Sequence, residues 1–202
     1  MKHAIRFVLL LCASLFTLAV PPVFAAKEGK TLVVFFPHTG ENYNVGVIEK
    51  GNTAIIAEMI AAKTGADSFE LKPVRPYPPK YKECTDAAKK ERNDHARPEY
   101  AGDVDNLAQY DRVFIGAPVW WGDWPMIIYT FLEKNDLSGK TLIPFCTHEG
   151  SGLSGFGAKL SAVVPGAKIL EGLAVTGRVA QKDREAADKA VTVWLQGLGK
   201  SL

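Results

Sequence analysis

The sequence contains little of what several classes of protein require. Its 202 residues include three cysteines and four histidines, and their spacing matches no zinc site. Lysine and arginine number 24 against 22 aspartates and glutamates, so no surface for nucleic acid is indicated. The loop after the first apolar strand has neither a GKS or GKT phosphate loop nor a G-x-G-x-x-G fingerprint. These absences exclude a disulfide-rich domain and argue against a nucleotide-triphosphate site in that loop.

The one long apolar run lies at the N-terminus. A basic start precedes residues 7–20, which are almost wholly apolar. Val23 and Ala25 then place small residues on either side of Phe24, as a signal-peptide cleavage site requires. This pattern predicts a secretory signal peptide over residues 1–25, cut after Ala25, and one domain over residues 26–202. The alternative is an uncleaved membrane anchor, but this run of 14 residues is shorter than the roughly 20 that a span needs.

We therefore expect an exported protein, periplasmic or extracellular, without a stable membrane anchor after cleavage. Loss of Lys2 and Arg6 leaves 22 basic and 22 acidic residues, so the mature chain is neutral. Cys84 and Cys146 remain, in an oxidising compartment where a disulfide is possible. Cys146 ends an apolar run and is expected to be buried, whereas Cys84 lies in a polar helix that can leave it exposed. The sequence leaves open whether the two pair.

Strand and helix patterns alternate along the rest of the chain. Strands are predicted over residues 32–36, 67–71, 112–118, 141–146 and 167–175. Helices are predicted from residue 53 to 64, over 81–93, from Pro125, from residue 153 to 163 and over 183–198. The prolines that open the polar segment 72–111 are expected to exclude regular structure there. Buried strands with crossover helices predict an α/β fold, a doubly wound three-layer sandwich on a parallel sheet.

Three unusual loops follow strands of this predicted sheet, at residues 37–53, 118–124 and 147–152. The carboxyl ends of parallel strands meet at one edge, where ligands bind in such sheets. In the first loop, GNT at a helix start offers free backbone N–H groups, hydroxyls and an amide to a phosphate. The alternative is that Asn52 and Thr53 merely cap the helix.

The second loop holds three tryptophans within residues 120–124. Trp124 is the candidate for the core, while Trp120 or Trp121 can form a flat wall for a planar ring. Gly122 allows close backbone approach, and the adjoining peptide can turn to present C=O or N–H to a ring nitrogen. An aromatic surface for a partner protein is the alternative.

The third loop, THEGSG, offers backbone N–H groups at a helix start to the carbonyl edge of such a ring. His148 and Glu149 are also a possible acid/base pair. A hydrolase that uses Cys146 or Ser151 with His148 is a further alternative.

Together, FPHTG and GNT, GAPVWWGDWPM, and FCTHEGSGLSG resemble the flavodoxin family, in particular flavodoxin-like proteins with PxWWG and THEGSG loops. The resemblance spans residues 30–198. It implies a five-stranded parallel sheet of order 2-1-3-4-5 and non-covalent FMN, with the phosphate near His38, Thr39, Asn52 and Thr53. The expected FMN-binding residues are His38, Thr39, Asn42, Tyr43, Asn52, Thr53, Pro118, Val119, Trp120, Trp121, Gly122, Thr147, His148, Glu149, Gly150, Ser151 and Gly152.

The function that this resemblance implies is an FMN-dependent redox protein, either an electron carrier or a small flavin reductase. Its partner is expected to be a redox protein or a small-molecule electron acceptor, and flavin N5 rather than a side chain would carry the chemistry. The chain departs from the family pattern at Pro37, in the insertion 41–50 and in its neutral charge. Those departures leave an alternative, a flavin-free module that binds a partner or a ligand on the same fold.

Overall fold

A computed structural model describes residues 29–199. The predicted signal peptide lies outside the described residues. Among residues 29–199, no helix is both long enough and apolar enough to cross a membrane.

The described chain alternates between strands and helices, as its sequence pattern predicts. The strands are β1 (Lys30–Phe35), β2 (Gly40–Asn42), β3 (Gly46–Ile48), β4 (Asp67–Glu70), β5 (Lys72–Pro73), β6 (Tyr100–Ala101), β7 (Tyr110–Pro118), β8 (Thr141–His148), β9 (Lys168–Ile169) and β10 (Leu173–Thr176). The helices are α1 (Asn52–Thr64), α2 (Tyr81–Asn93), α3 (Met126–Lys134), α4 (Phe156–Val163), α5 (Gly177–Lys182) and α6 (Arg184–Leu198), with a 3₁₀ turn at Leu107–Gln109.

The central sheet is parallel and has the order β4-β1-β7-β8-β10, with β9 also paired to β8. Counting only these main strands along the chain, the order is 2-1-3-4-5, which confirms the prediction. Side chains alternate between the two faces of the sheet. Val34 packs in a cluster with residues of α3 and α4, whereas Val33 packs with α1 and α6. The fold is therefore the expected three-layer sandwich.

The last strand differs from the prediction of one strand over residues 167–175. It is divided into β9 and β10, which pair with β8 on either side of Pro144. Proline has no N–H to donate, so the ladder is interrupted beside it on the side of β9 and β10, whereas the ladder with β7 on the other side continues. At this break the backbone of Gly172 lies close to Pro144. A Cβ built on Gly172 would be 2.7 Å from the Pro144 carbonyl oxygen.

Prolines behave differently from the prediction at two other places. Pro73 lies within β5, which pairs antiparallel with β6 in a separate two-stranded ladder. A ladder of two short strands tolerates a proline because the position where proline lacks an N–H can face away from the other strand. Pro125, expected as the first helical residue, instead precedes α3 as its N-cap, and its carbonyl accepts from Ile128 N at 2.9 Å.

A glycine in the centre of the sheet sets the fit between two strands. Gly116 of β7 lies opposite Phe145 of β8, and a Cβ at residue 116 would lie 2.0 Å from the Phe145 ring. Gly116→Ala should therefore lower the free energy of unfolding by about 1 to 3 kcal/mol, the cost of overpacking a core. Gly197→Ala, at an exposed α6 position, is the control and should raise it by about 0.5 to 1 kcal/mol. Chemical denaturation of both variants measures this, and equal stability of the two would contradict the close fit.

Candidate functional site

A cavity of about 310 Å³ opens at the carboxyl edge of the sheet. The loops after β1, β7 and β8 line it, as the sequence predicts, and α2 closes one side. Its predicted lining residues are His38, Asn42, Tyr43, Asn52, Pro118, Val119, Trp120, Trp121, Gly122, Thr147, His148, Glu149 and Ser151. The other predicted residues, Thr39, Thr53, Gly150 and Gly152, belong to the same loops but lie outside this lining. The structure thus brings the three loops together around one volume.

The N-terminus of α1 is the first feature of this edge. Its N-cap is Gly51, and within the described part of the chain no side chain caps the helix. Asn52 and Thr53 therefore do not have the capping role that was their alternative explanation. A Cβ at residue 51 would lie 2.8 Å from Pro37 Cβ and 2.9 Å from His38 O. Only glycine allows this close packing, which holds the helix start, with its free N–H groups and positive dipole end, against the β1 loop.

The two residues that open α1 have different surroundings. Thr53 is 1% exposed, and its hydroxyl is 2.8 Å from the Thr147 hydroxyl in β8. Asn52 is 9% exposed, and its Oδ1 has no hydrogen-bond partner among the described residues. A buried acceptor without a partner is costly. Because Asn52 lines the cavity, a ligand that donates a hydrogen bond can satisfy it.

The insertion 41–50 folds into the β2–β3 hairpin and helps to build the cavity. Glu41 N donates to Pro79 O at 2.7 Å, and Tyr81 N donates to Glu41 Oε2 at 2.9 Å. These bonds join the hairpin to the start of α2. The rings of Tyr43 and Tyr81 stack with their centroids 5.8 Å apart at the cavity mouth.

Sequence reasoning missed the lining residues that this arrangement adds, namely Glu41, Tyr81, Cys84, Thr85 and Ala88. The small residues among them share one face of α2, a helix whose other positions are mostly charged. That contrast was a signal for a buried face, but the sequence does not say which element the face would meet. Cys84 is accordingly buried, which corrects the expectation that it can be exposed.

His38 does not bring positive charge to this site. Its ring packs edge-on against Trp120, with centroids 5.5 Å apart, and its Nδ1 lies 4.0 Å from Cys84 Sγ. Burial lowers the pKa of His38, so the imidazole is neutral around neutral pH. The sequence had left open whether His38 supplies a charge or a hydrogen bond, and its burial favours the uncharged form.

The tryptophans of the second loop occupy three different environments. Trp124 is buried, as predicted, and stacks on Phe156. Trp120 is half-buried and meets Phe36 edge-on at 5.4 Å between centroids. Trp121 is 47% exposed, and its Nε1 donates to Thr85 O of α2 at 2.9 Å. Trp120 and Trp121 therefore form a wall of the cavity, and Trp124 supports it from the core.

The third loop is organised by its own histidine. His148 Nδ1 accepts hydrogen bonds from Gly150 N at 2.9 Å and from Gly152 N at 3.1 Å. The neutral ring then carries its proton on Nε2. Two of the N–H groups expected to meet a ligand ring are thus used within the loop. Glu149 Oε1 accepts from Arg178 N at 3.1 Å, so the side chains of His148 and Glu149 have separate structural partners rather than forming an acid/base pair.

The family model described as Flavodoxin matches residues 45–191, well over half of the chain. The chain belongs to the flavodoxin family. No protein with a curated functional description matches it.

Solved structures agree with this family assignment. A candidate flavoprotein from Bacteroides eggerthii is 31% identical, has a TM-score of 0.68, and is matched over 85% of this chain and 98% of its own. A flavoprotein in complex with FMN from Lactobacillus acidophilus shares the fold, at 21% identity and a TM-score of 0.59, over 72% of this chain and 93% of its own. Oxidised flavodoxin 2 from Bacillus cereus does so at 18% identity and a TM-score of 0.52, over 86% and 100%.

Neither cysteine of this flavodoxin-family domain is placed for nucleophilic chemistry or for a disulfide. Both are buried, and within residues 29–199 neither forms a disulfide. Burial raises the pKa of Cys146 to about 12, and its thiol donates to Gly152 O at 3.4 Å. A thiolate at neutral pH is therefore disfavoured, which argues against the hydrolase alternative at Cys146. The described residues also contain no cluster of three or more metal-ligating side chains.

The role of His148 as an acceptor can be tested by stability against pH. His148→Ala leaves two N–H groups without their acceptor, so we expect the free energy of unfolding to fall by about 1 to 2 kcal/mol at neutral pH. Burial lowers the pKa of His148, while Glu149 raises it. The neutral form is favoured by folding, so its contribution is complete above the ordinary histidine pKa and is lost as the pH falls from there through the lowered pKa of the folded state.

The difference between wild type and His148→Ala should therefore shrink when denaturation is repeated near pH 5, about 2 pH units below neutrality. Ser151→Ala, an exposed position of the same loop, is the control and should change stability at neither pH. A difference that does not depend on pH would show that His148 acts only by filling space.

Proposed function

We propose that this protein binds FMN non-covalently in the cavity at the sheet edge and acts as a redox protein. The observation that carries this proposal is the convergence of an uncapped helix N-terminus, an aromatic wall and an unpartnered buried amide oxygen around one cavity. Membership of the flavodoxin family and the FMN complex of the Lactobacillus acidophilus flavoprotein support it. When bound, FMN supplies the electron-transfer chemistry through its isoalloxazine ring.

The free N–H groups at the start of α1 would hold the phosphate, since a helix N-terminus with open donors favours a dianion. No cation is needed there, which agrees with a neutral His38. Pro37 cannot donate a hydrogen bond, but its ring packs against Gly51 and shapes the loop.

Asn52 fits a different part of the cofactor from the phosphate. Its unpartnered atom is an oxygen, which accepts but does not donate, and a phosphate dianion also only accepts. A ribityl hydroxyl donates, and it lies between the phosphate and the ring. Asn52 would therefore hold the ribityl chain, while Trp120, Trp121 and the 147–151 loop would enclose the ring.

This assignment predicts how Asn52→Ala changes binding. The affinity of the mature chain for FMN and for riboflavin should fall by the same factor, about tenfold, because both carry the ribityl hydroxyls. The apoprotein should be no less stable, since the substitution removes an unsatisfied buried atom.

Fluorescence quenching titrations with both flavins measure these affinities. Asn93→Ala, at the exposed end of α2, is the control and should bind as wild type does. A loss of FMN affinity alone would place Asn52 at the phosphate instead. No binding of either flavin to wild type would overturn the proposed function and favour a flavin-free binding module.

We also propose that the protein acts outside the cytoplasm, as a periplasmic or extracellular protein. The basic start, the apolar run and the small residues Val23 and Ala25 before the cut support this. Its redox partner there would be a protein or a small-molecule electron acceptor.

Export predicts a defined N-terminus for the mature protein. Mass spectrometry of the protein recovered from the periplasm or the medium should find a chain that begins at Ala26. A full-length chain retained with the membrane fraction would show an uncleaved anchor instead. Ala25→Leu, which replaces the small residue before the cut, should slow processing.

A further inference from the structure

Residues 120–123 form a two-residue hairpin turn beside the cavity. Trp120 and Asp123 exchange both backbone hydrogen bonds, at 2.9 and 3.0 Å. The two central residues, Trp121 and Gly122, have positive φ values of 54° and 73°. Positive φ at both central positions is the mark of a type I′ turn. Asparagine, aspartate or glycine usually fills the first of these positions, but here it is a tryptophan.

This turn type restricts how the Trp121–Gly122 peptide can move. Rotating that peptide by half a turn would convert the I′ turn into a II′ turn. The first central residue would then have a φ of about +60° and a ψ of about −120°. Glycine occupies this position in II′ turns because a Cβ clashes with the backbone there. The Cβ of Trp121 therefore opposes the rotation.

Two cations hold the carbonyl groups of the same turn. Arg92 Nη1 donates to Trp121 O at 2.6 Å, and Lys159 Nζ donates to Gly122 O at 2.7 Å. Hydrogen bonds from charged donors are about twice as strong as neutral ones. Reversing the Trp121 carbonyl would break its bond to Arg92. Steric restriction and charge thus favour the same single orientation.

We propose that the Trp121–Gly122 peptide keeps this orientation in every redox state, and that the protein therefore exchanges electrons in pairs. This inference rests on the proposed function, because it concerns the loop that would face flavin N5. A carbonyl that turned toward N5 as the first electron and a proton arrived would separate the two one-electron potentials. A fixed turn provides no such change, so two-electron donors and acceptors are the partners that suit the site.

The matching chemical classes are a reduced nicotinamide as donor and a quinone as acceptor. The nicotinamide gives a hydride, two electrons with one proton, and leaves oxidised. The quinone takes both electrons, that proton and a second proton from water, and leaves as a quinol. The exposed rings of Tyr43, Tyr81 and Trp121 border the cavity, and flat apolar faces of this kind suit a planar acceptor.

The first experiment uses the FMN-loaded mature chain. Crystal structures of the oxidised and the fully reduced protein should both show the Trp121 carbonyl bonded to Arg92. During anaerobic titration with dithionite, the oxidised spectrum should convert to the reduced one through constant isosbestic points. A reversed carbonyl in the reduced structure, or a third spectrum at the midpoint, would overturn the inference.

Variants test the two restrictions together. Trp121→Gly with Arg92→Gln removes both the Cβ and the charged bond, so a third spectrum should appear at the midpoint of its titration. Trp121→Gly with Lys90→Gln is the matched control, because Lys90 lies exposed on the same helix and pairs with Asp94. This comparison variant loses the same indole but keeps the bond to Arg92, so its titration should lack the third spectrum. Equal behaviour of the two double variants would show that Arg92 has no part in fixing the turn.

The outcomes separate this inference from the proposed function. If the wild-type chain does not bind FMN, both fail. If it binds FMN but takes up electrons in two resolved steps, only this inference fails. Oxidation of NADH or NADPH with a quinone, at one nicotinamide per quinol formed, should accompany the single-step titration.

Discussion

A hydrogen bond between two buried hydroxyls joins the parts of this protein on which the site depends. Thr53 is the second residue of α1, Thr147 ends the buried part of β8, and their oxygens are 2.8 Å apart where the two elements meet. Neither hydroxyl has much access to water, and in this bond one of them donates and the other accepts. This bond fixes the start of α1 relative to the third loop. The free helix N–H groups and the His148 loop therefore meet around the cavity at one set geometry.

The fold was largely predictable because its signals are local. The apolar runs of β1, β7 and β8 and the helical spacing in α6 predict their elements directly, and right-handed crossovers restrict the order of the strands. The division of the last strand was not predictable from its own residues. It depends on Pro144 in the neighbouring strand, and only the register of the sheet brings that proline beside Gly172.

The site was predictable as three loops at one edge, but less so as a set of contacts. The role of His148 depends on which N–H groups curl back to its ring, and sequence spacing does not reveal this. The insertion 41–50 had looked like a departure that weakened the flavin interpretation. In the structure Glu41 joins that segment to α2, so the insertion completes the cavity wall. Both surprises come from tertiary contacts between segments that are distant in sequence.

Trp121 adopts a strained conformation at the edge of the cavity. A bulky residue with positive φ is strained by about 1 to 3 kcal/mol, and packing in the core does not explain it, since the side chain is 47% exposed. The strain is offset by contacts with α2, through Thr85 and Arg92, and by Lys89 over the indole ring. Helix α2 and the turn therefore act as one unit. These restraints would oppose any rotation of the Trp121–Gly122 peptide. Each of them also keeps the indole wall and the backbone of the turn in one position relative to α2.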